Sequence, residues 1–88
     1  MSMTREDGVA KMKALAGRQP LPTLALSLEM LAAKPGLDGT ERLTHAVLMD
    51  VICERCPAAE AAFAAWCDSD DYDAAAPVAA IVAAAKAA

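Results

Sequence analysis

The stretch from Asp38 to Pro57 constrains the fold of this chain more than any other, because it reads as one helix with a start signal and a stop signal. Asp38 can cap the free backbone N–H groups of the first turn, and Glu41, three residues later, can complete a capping box. Pro57 disfavours helical geometry at the residue before it, so the helix is expected to end at Cys56. The segment therefore predicts a helix of about five turns.

The apolar residues of this helix occupy two different sides. One row contains Leu43, Val47 and Val51, and the other contains Leu48, Ile52 and Cys56. A helix that is apolar on more than one side is buried among several neighbours. We therefore expect this helix at the centre of the fold.

Similar start and stop signals predict the remaining helices. Thr4 can cap a first helix that Gly17 ends, and Lys34-Pro35-Gly36 ends a second helix that starts near Pro22. Pro57 is well placed in the first turn of a fourth helix. The predicted ranges are 4–16, 22–34 and 57–67, with a last helix that begins between 73 and 77 and continues towards 86.

Each of these helices carries at least one apolar face. The second helix has two rows, Leu24, Leu28 and Leu31 on one side and Leu26, Met30 and Ala33 on another. The other predicted faces are Val9, Met12 and Ala16 in the first helix, Ala59, Phe63, Trp66 and Cys67 in the fourth, and Val78, Ile81, Val82 and Ala85 in the last. We expect both rows of the second helix to be buried, and the two aromatic residues to supply most of the buried area of the fourth.

The length and composition indicate a single domain, residues 1–88. Hydrophobic residues make up 57% of the chain, but many of them are Ala and only 3% of the chain is aromatic. Ala is the strongest helix former, yet its burial contributes little apolar area. The predicted fold is therefore all-α: a compact bundle of four to five short helices with helices two and three central.

The charge and the chain ends narrow the choice of partners and compartment. The formal net charge is −4 and no run of basic residues occurs, so nucleic acid is disfavoured as a partner. The N-terminus lacks the basic start and apolar core of a signal peptide, and the three Cys cannot all pair internally. The longest apolar stretch, residues 74–85, is too short for a membrane span. These features favour a cytoplasmic protein with reduced thiols.

A structural zinc site needs four ligands, and the candidates in this chain are His45, Cys53, Cys56 and Cys67. Structural zinc sites usually take a Cys pair from a tight turn and add a second close pair. Here the Cys pair lies at the end of a helix and the other two residues stand alone. The same position disfavours redox chemistry, because the dipole at a helix C-terminus does not lower a thiol pKa. We predict no bound metal and interpret the three Cys as small apolar core residues.

The sequence provides no pattern for catalysis or for a cofactor. His45 could act as a general base, but the sequence pairs it with no recognisable nucleophile or second catalytic residue. No catalytic triad, phosphate-binding glycine loop or His-Glu-x-x-His motif occurs. Carrier proteins attach phosphopantetheine to the Ser of an Asp-Ser-Leu motif at a helix start. In this chain Ser27 lies within a helix between two Leu, and Asp38 is followed by Gly39. We therefore predict a non-enzymatic protein without a cofactor.

Between the fourth and last helices, an acidic loop contains four carboxylates, Asp68, Asp70, Asp71 and Asp73. A calcium loop of the EF-hand type also needs a Gly and a distant Glu at fixed spacing, and neither follows here. The loop is predicted to be a solvated connection. Its functional alternative is a contact with a basic partner protein.

Counting apolar faces predicts a homodimer. Helices two and three each have two apolar rows, and the remaining helices offer mainly Ala-rich faces to cover them. A row of Leu and Met left uncovered is unusual on a soluble monomer, and a second copy would cover it. The favoured function is a small intracellular protein–protein interaction module or regulator. The Ala-rich, acidic composition is associated with bacteria and their phages or plasmids.

Two further hypotheses remain. In the first, helix two, the turn at 34–39 and helix three form a helix-turn-helix that binds DNA through Thr40, Arg42 and Thr44. In the second, the acidic loop mimics nucleic acid and blocks a basic protein.

Overall fold

The computed structural model describes residues 4–88, which form five helices and no strand. The predicted all-α fold is therefore confirmed. The helices are α1 (Arg5–Ala16), α2 (Leu21–Ala32), α3 (Gly39–Arg55), α4 (Pro57–Cys67) and α5 (Ala75–Ala87). The first three residues of the predicted domain lie outside the described part of the chain.

The predicted helix starts are confirmed at α1 and α3. Glu41 N donates to Asp38 Oδ1 at 2.7 Å, and Asp38 N donates to Glu41 Oε1 at 3.2 Å, which completes the capping box. Thr4 and Asp7 form a second box at the start of α1. Each box satisfies backbone N–H groups that have no partner within the helix.

Proline determines two of the helix ends. Cys56 has extended backbone geometry before Pro57, so α3 ends at Arg55, one residue before its predicted end, and α4 begins at the proline as predicted. The second helix starts at Leu21 and ends at Ala32, two residues before its predicted end at Lys34. Pro35 disfavours helical geometry at Lys34, so the chain leaves the helix in a turn before it reaches the proline.

Helix α3 is central, because it packs against each of the other four helices. Both of its predicted apolar rows face the core; Val47, Leu48, Val51, Ile52 and Cys56 are buried. Helix α2 packs against α3 and α5, so the predicted central position of helices two and three is confirmed. The last helix is central as well, since its contacts with α2 and α4 are the most extensive in the bundle.

Alanines make this close packing possible. Ala25, Ala59 and Ala85 are fully buried on α2, α4 and α5. Small side chains let helix backbones approach each other closely, so a narrow Ala face can still contact two neighbours.

The aromatic face of α4 is partly buried. Ala59 is fully buried, Trp66 is half-buried, and Phe63 remains exposed, with its ring centroid 6.2 Å from that of Trp66. The small Ala59 lies at the packed side of the helix, while the larger Phe63 lies nearer its edge. That the aromatic pair supplies most of the buried area of α4 stays a prediction.

A long-range contact fixes the link between α1 and α2. The Arg55 guanidinium donates to the Gln19 carbonyl oxygen at 2.6 Å and to the Ala16 carbonyl oxygen at 3.4 Å. The end of α3 thereby satisfies carbonyl groups at the end of α1 and in the following turn. This contact positions the start of α2, which carries the surface described next.

Candidate functional site

One side of α2 is exposed although its residues are apolar. Leu28 is fully buried at 0% exposure, whereas Leu26 is 52% exposed and Met30 is 65% exposed. Successive helix residues are about 100° apart, so Leu26 and Met30 lie almost opposite Leu28. Together with the exposed Ala33 they form a row, here called the α2 face. Within one chain the α2 face is therefore uncovered, and its coverage by a second copy stays a prediction.

A groove of about 680 Å³ runs between α2 and α5 beside this face. Its largest apolar lining residues are Leu31, Leu37, Val78 and Val82. Alanines and four polar residues, Glu29, Lys34, His45 and Lys86, complete the lining. Ala33 belongs to both the α2 face and the groove. The α2 face and the groove therefore meet at Ala33, whereas Leu26 and Met30 lie outside the groove lining.

Ion pairs lie at the rim of the groove. Lys86 Nζ of α5 is 2.8 Å from Glu29 Oε2 of α2, and Lys34 Nζ donates to the Glu41 carboxylate at the start of α3. The hydrogen bond to Glu41 and the charge of that carboxylate raise the pKa of Lys34 above its usual value. Each lysine thus has an acidic partner within the chain, and neither pair is apparent from the sequence.

The candidate zinc ligands do not come together as a set in the structure. His45 is half-buried and lines the groove between α2 and α5, Cys56 is buried in the core, and Cys67 is exposed at the end of α4. Across residues 4–88, no three His, Cys, Asp or Glu side chains come together as a metal site requires. The absence of bound metal remains a prediction.

The three thiols occupy different environments. Cys56 is buried as predicted, and Cys53 is half-buried against the core. Cys67 is exposed, so its interpretation as a core residue is wrong, because the last turn of α4 extends to the surface. Burial raises the pKa of the Cys53 thiol, and the nearby carboxylates of Glu60 and Asp50 raise it further.

These environments predict an order of thiol reactivity. Alkylation of the native protein with iodoacetamide at mildly alkaline pH is expected to modify Cys67 first, Cys53 more slowly, and Cys56 only after unfolding. A raised pKa lowers the thiolate fraction, so increasing the pH should accelerate Cys53 while leaving it behind Cys67. Peptide mass spectrometry over time measures the order. Equal rates for Cys53 and Cys67 would contradict it.

The acidic loop uses part of its carboxylate capacity to order its own backbone. Asp71 Oδ1 accepts from Asp73 N at 2.8 Å, and Asp73 Oδ1 accepts from Ala75 N at 3.0 Å. Asp68 and Asp70 are exposed, as are Asp71 and Asp73. The loop is a connection built from local turns, and its carboxylates remain accessible to solvent.

The residues proposed for DNA binding lie at the start of α3. Thr40 and Arg42 are exposed, and Arg42 Nε donates to the Leu37 carbonyl oxygen at 3.2 Å. Thr44 donates its hydroxyl to the Thr40 carbonyl oxygen at 2.9 Å, so this group bonds within its own helix. Arg5 and Arg42 line a shallow cleft here, and the remaining lining residues are Gly39, Thr40, Leu43 and Ala46.

No family model matches this chain, and no curated protein or solved structure is detectably similar to it. Among residues 4–88, none of the helices has both the length and the apolar character needed to cross a membrane.

Proposed function

We propose that this chain is a small, intracellular, non-enzymatic protein–protein interaction module that associates with a second copy of itself through the α2 face. The observation that carries this proposal is the exposure of Leu26 and Met30 on the side of α2 opposite the core. Large apolar side chains in a row on a surface are typical of interaction sites, since their burial by a partner removes apolar area from water.

The surroundings of the α2 face support a protein partner over a small molecule. The face is convex and lies on one helix, whereas small-molecule sites are concave and enclose most of their ligand. The groove meets this face at Ala33, so a partner that covers the face can also contact the groove. A second copy covers the face without requiring any other protein, and a self-complementary contact of this kind gives a closed dimer.

The chain offers a matched pair of variants to test this proposal. Leu15 on α1 and Leu26 on α2 are both 52% exposed, so either can be replaced by Glu with the same change of charge and a similar loss of apolar surface. We expect the unmodified protein to sediment at micromolar concentration with twice the 9.1 kDa mass of one chain. Leu26→Glu is expected to sediment as a monomer, and Leu15→Glu as a dimer.

Sedimentation equilibrium measures these masses, and circular dichroism checks that each variant keeps its helices. A monomer at all concentrations of the unmodified protein would contradict self-association. Dissociation by Leu15→Glu as strong as that by Leu26→Glu would show that the α2 face is not the contact.

A further inference from the structure

A second surface, separate from the α2 face, brings positive charge together where α1 and α3 meet. The shallow cleft at this place has a volume of about 530 Å³ and is here called the arginine cleft. No residue of α2 lines it, and none of its lining residues is acidic. The lining consists of Arg5 from the start of α1 and of Gly39, Thr40, Arg42, Leu43 and Ala46 from α3. The cleft is therefore a concave, positively charged site on a chain whose formal net charge is −4.

Both arginines of the cleft keep donor groups available. Arg42 Nε donates to the Leu37 carbonyl oxygen at 3.2 Å, and the two terminal nitrogens of this guanidinium have no partner among residues 4–88. Arg5 is exposed. In the described part of the chain neither guanidinium forms a salt bridge, whereas three of the lysines each pair with a carboxylate. The cleft thus holds two guanidinium charges that no side chain of residues 4–88 neutralises.

The acidic residues at the start of α3 do not line the arginine cleft. Asp38 and Glu41 form the capping box of the helix, and both lie outside the cleft lining. Leu43, which lines the cleft, follows Glu41 by two residues and so lies about 200° further round the helix. Glu41 accordingly lies on another side of α3, where its carboxylate pairs with Lys34.

We infer that the arginine cleft binds a small molecule that carries a phosphate monoester. Such a group has a charge of about −1.5 to −2 near neutral pH, so it matches two guanidinium groups, whereas a carboxylate matches only one. Each guanidinium presents planar N–H donors that bind two phosphate oxygens at once. Leu43 and Ala46 provide apolar surface beside the arginines for the organic part of the ligand. The cleft volume lies within the range of small-molecule sites.

The arginine cleft suits one phosphate group better than a nucleic-acid duplex. The affinity of a protein for a duplex increases with the number of backbone phosphates that its Lys and Arg side chains neutralise. Only two lining residues of the cleft are basic, and the Thr44 hydroxyl, which the DNA-binding hypothesis requires, bonds within α3. Two cations in one concave site fit a single phosphate group.

Titration of the full chain with phenyl phosphate tests this inference. Two-dimensional NMR follows the backbone N–H signals of Gly39 and Thr40 and the side-chain Nε–H signals of the two arginines. We expect these signals to shift and to saturate at millimolar concentration. Benzoate has the same ring with one charge and should bind at least about fivefold more weakly. Inorganic phosphate has no apolar part and should bind at least about threefold more weakly than phenyl phosphate.

Matched variants locate the binding site. Arg5→Gln and Arg42→Gln are each expected to weaken the binding of phenyl phosphate about tenfold, because each removes one of the two charged donors. Arg18→Gln is the control, since Arg18 is exposed and lies outside the cleft, and its replacement changes the net charge by the same amount. This variant should stay within about twofold of the unmodified protein. Circular dichroism checks that each variant keeps its helices.

Several results would overturn the inference. The absence of saturable shifts would exclude the site, and an equal loss of affinity in Arg18→Gln and Arg42→Gln would show attraction by net charge alone. Equal affinity for inorganic phosphate would assign the cleft to free phosphate, and equal affinity for benzoate would remove the preference for phosphate. Tighter binding of duplex DNA than of phenyl phosphate at the same ionic strength would assign the arginines to nucleic acid. A monomeric protein would contradict the proposed self-association without affecting this site.

Discussion

Replacing Leu28 by Ala is expected to lower the free energy of unfolding by about 2–4 kcal/mol. Leu28 is fully buried on α2 and belongs to the core that this helix shares with α3 and α5. The loss combines the apolar surface removed from the core with the cavity that the neighbouring side chains leave unfilled. Ile52 on α3 is equally buried, and its replacement by Ala should have an effect of similar size. Urea denaturation followed by circular dichroism measures both.

Leu26→Ala is the matched control, because it makes the same chemical change on the same helix at an exposed position. Measured at a protein concentration where the chain is monomeric, Leu26→Ala should change the free energy of unfolding by less than about 0.5 kcal/mol. If Leu28→Ala also cost less than that, Leu28 would not be a core residue. A small domain has a total stability of only about 5–15 kcal/mol, so the expected difference is readily measured.

Replacing Ala85 by Leu should destabilise the fold by about 1–3 kcal/mol, even though Leu is more hydrophobic and also a good helix former. Ala85 is fully buried on α5, the helix with the most extensive contacts to its neighbours. At such a position the larger side chain has no space, so α5 must shift away from its neighbours or adopt strained geometry.

Ala80→Leu on the same helix is the control for overpacking. Ala80 is exposed and does not line the groove, so this change should leave the free energy of unfolding within about 0.5 kcal/mol of the original. Thermal and urea denaturation of the two variants compares them directly. Equal stability of Ala85→Leu and Ala80→Leu would show that the close packing of α5 does not limit side-chain size.

Helix positions could be predicted well because their signals are local. Asp38 and Glu41 are three residues apart, and their capping box depends only on the first turn of α3. Pro57 acts on its immediate neighbour, so the end of α3 and the start of α4 follow from adjacent residues. The predicted end of α2 lies two residues too late, since a proline limits how far a helix can continue but does not prevent an earlier end.

Burial could be predicted less well, because it depends on which helices become neighbours. Both rows of α3 are buried except at the half-buried Leu43, since this helix contacts all four others. The same pattern of two apolar rows on α2 leaves Leu26 and Met30 exposed, because α2 packs mainly on α3 and α5. The predicted burial of Cys67 is wrong for the same reason, and this residue lies at the surface instead.

The candidate site shows the same division between local and long-range information. The order of residues is enough to predict that α2 carries a row of Leu26, Met30 and Ala33, because a helical period places these residues on one side. Three further features depend on the folded chain: this side faces outward, α5 forms a groove beside it, and Lys86 pairs with Glu29 across 57 positions of sequence. Periodicity follows from backbone geometry within a few residues, whereas exposure and distant contacts depend on how all five helices divide the available apolar surface among themselves.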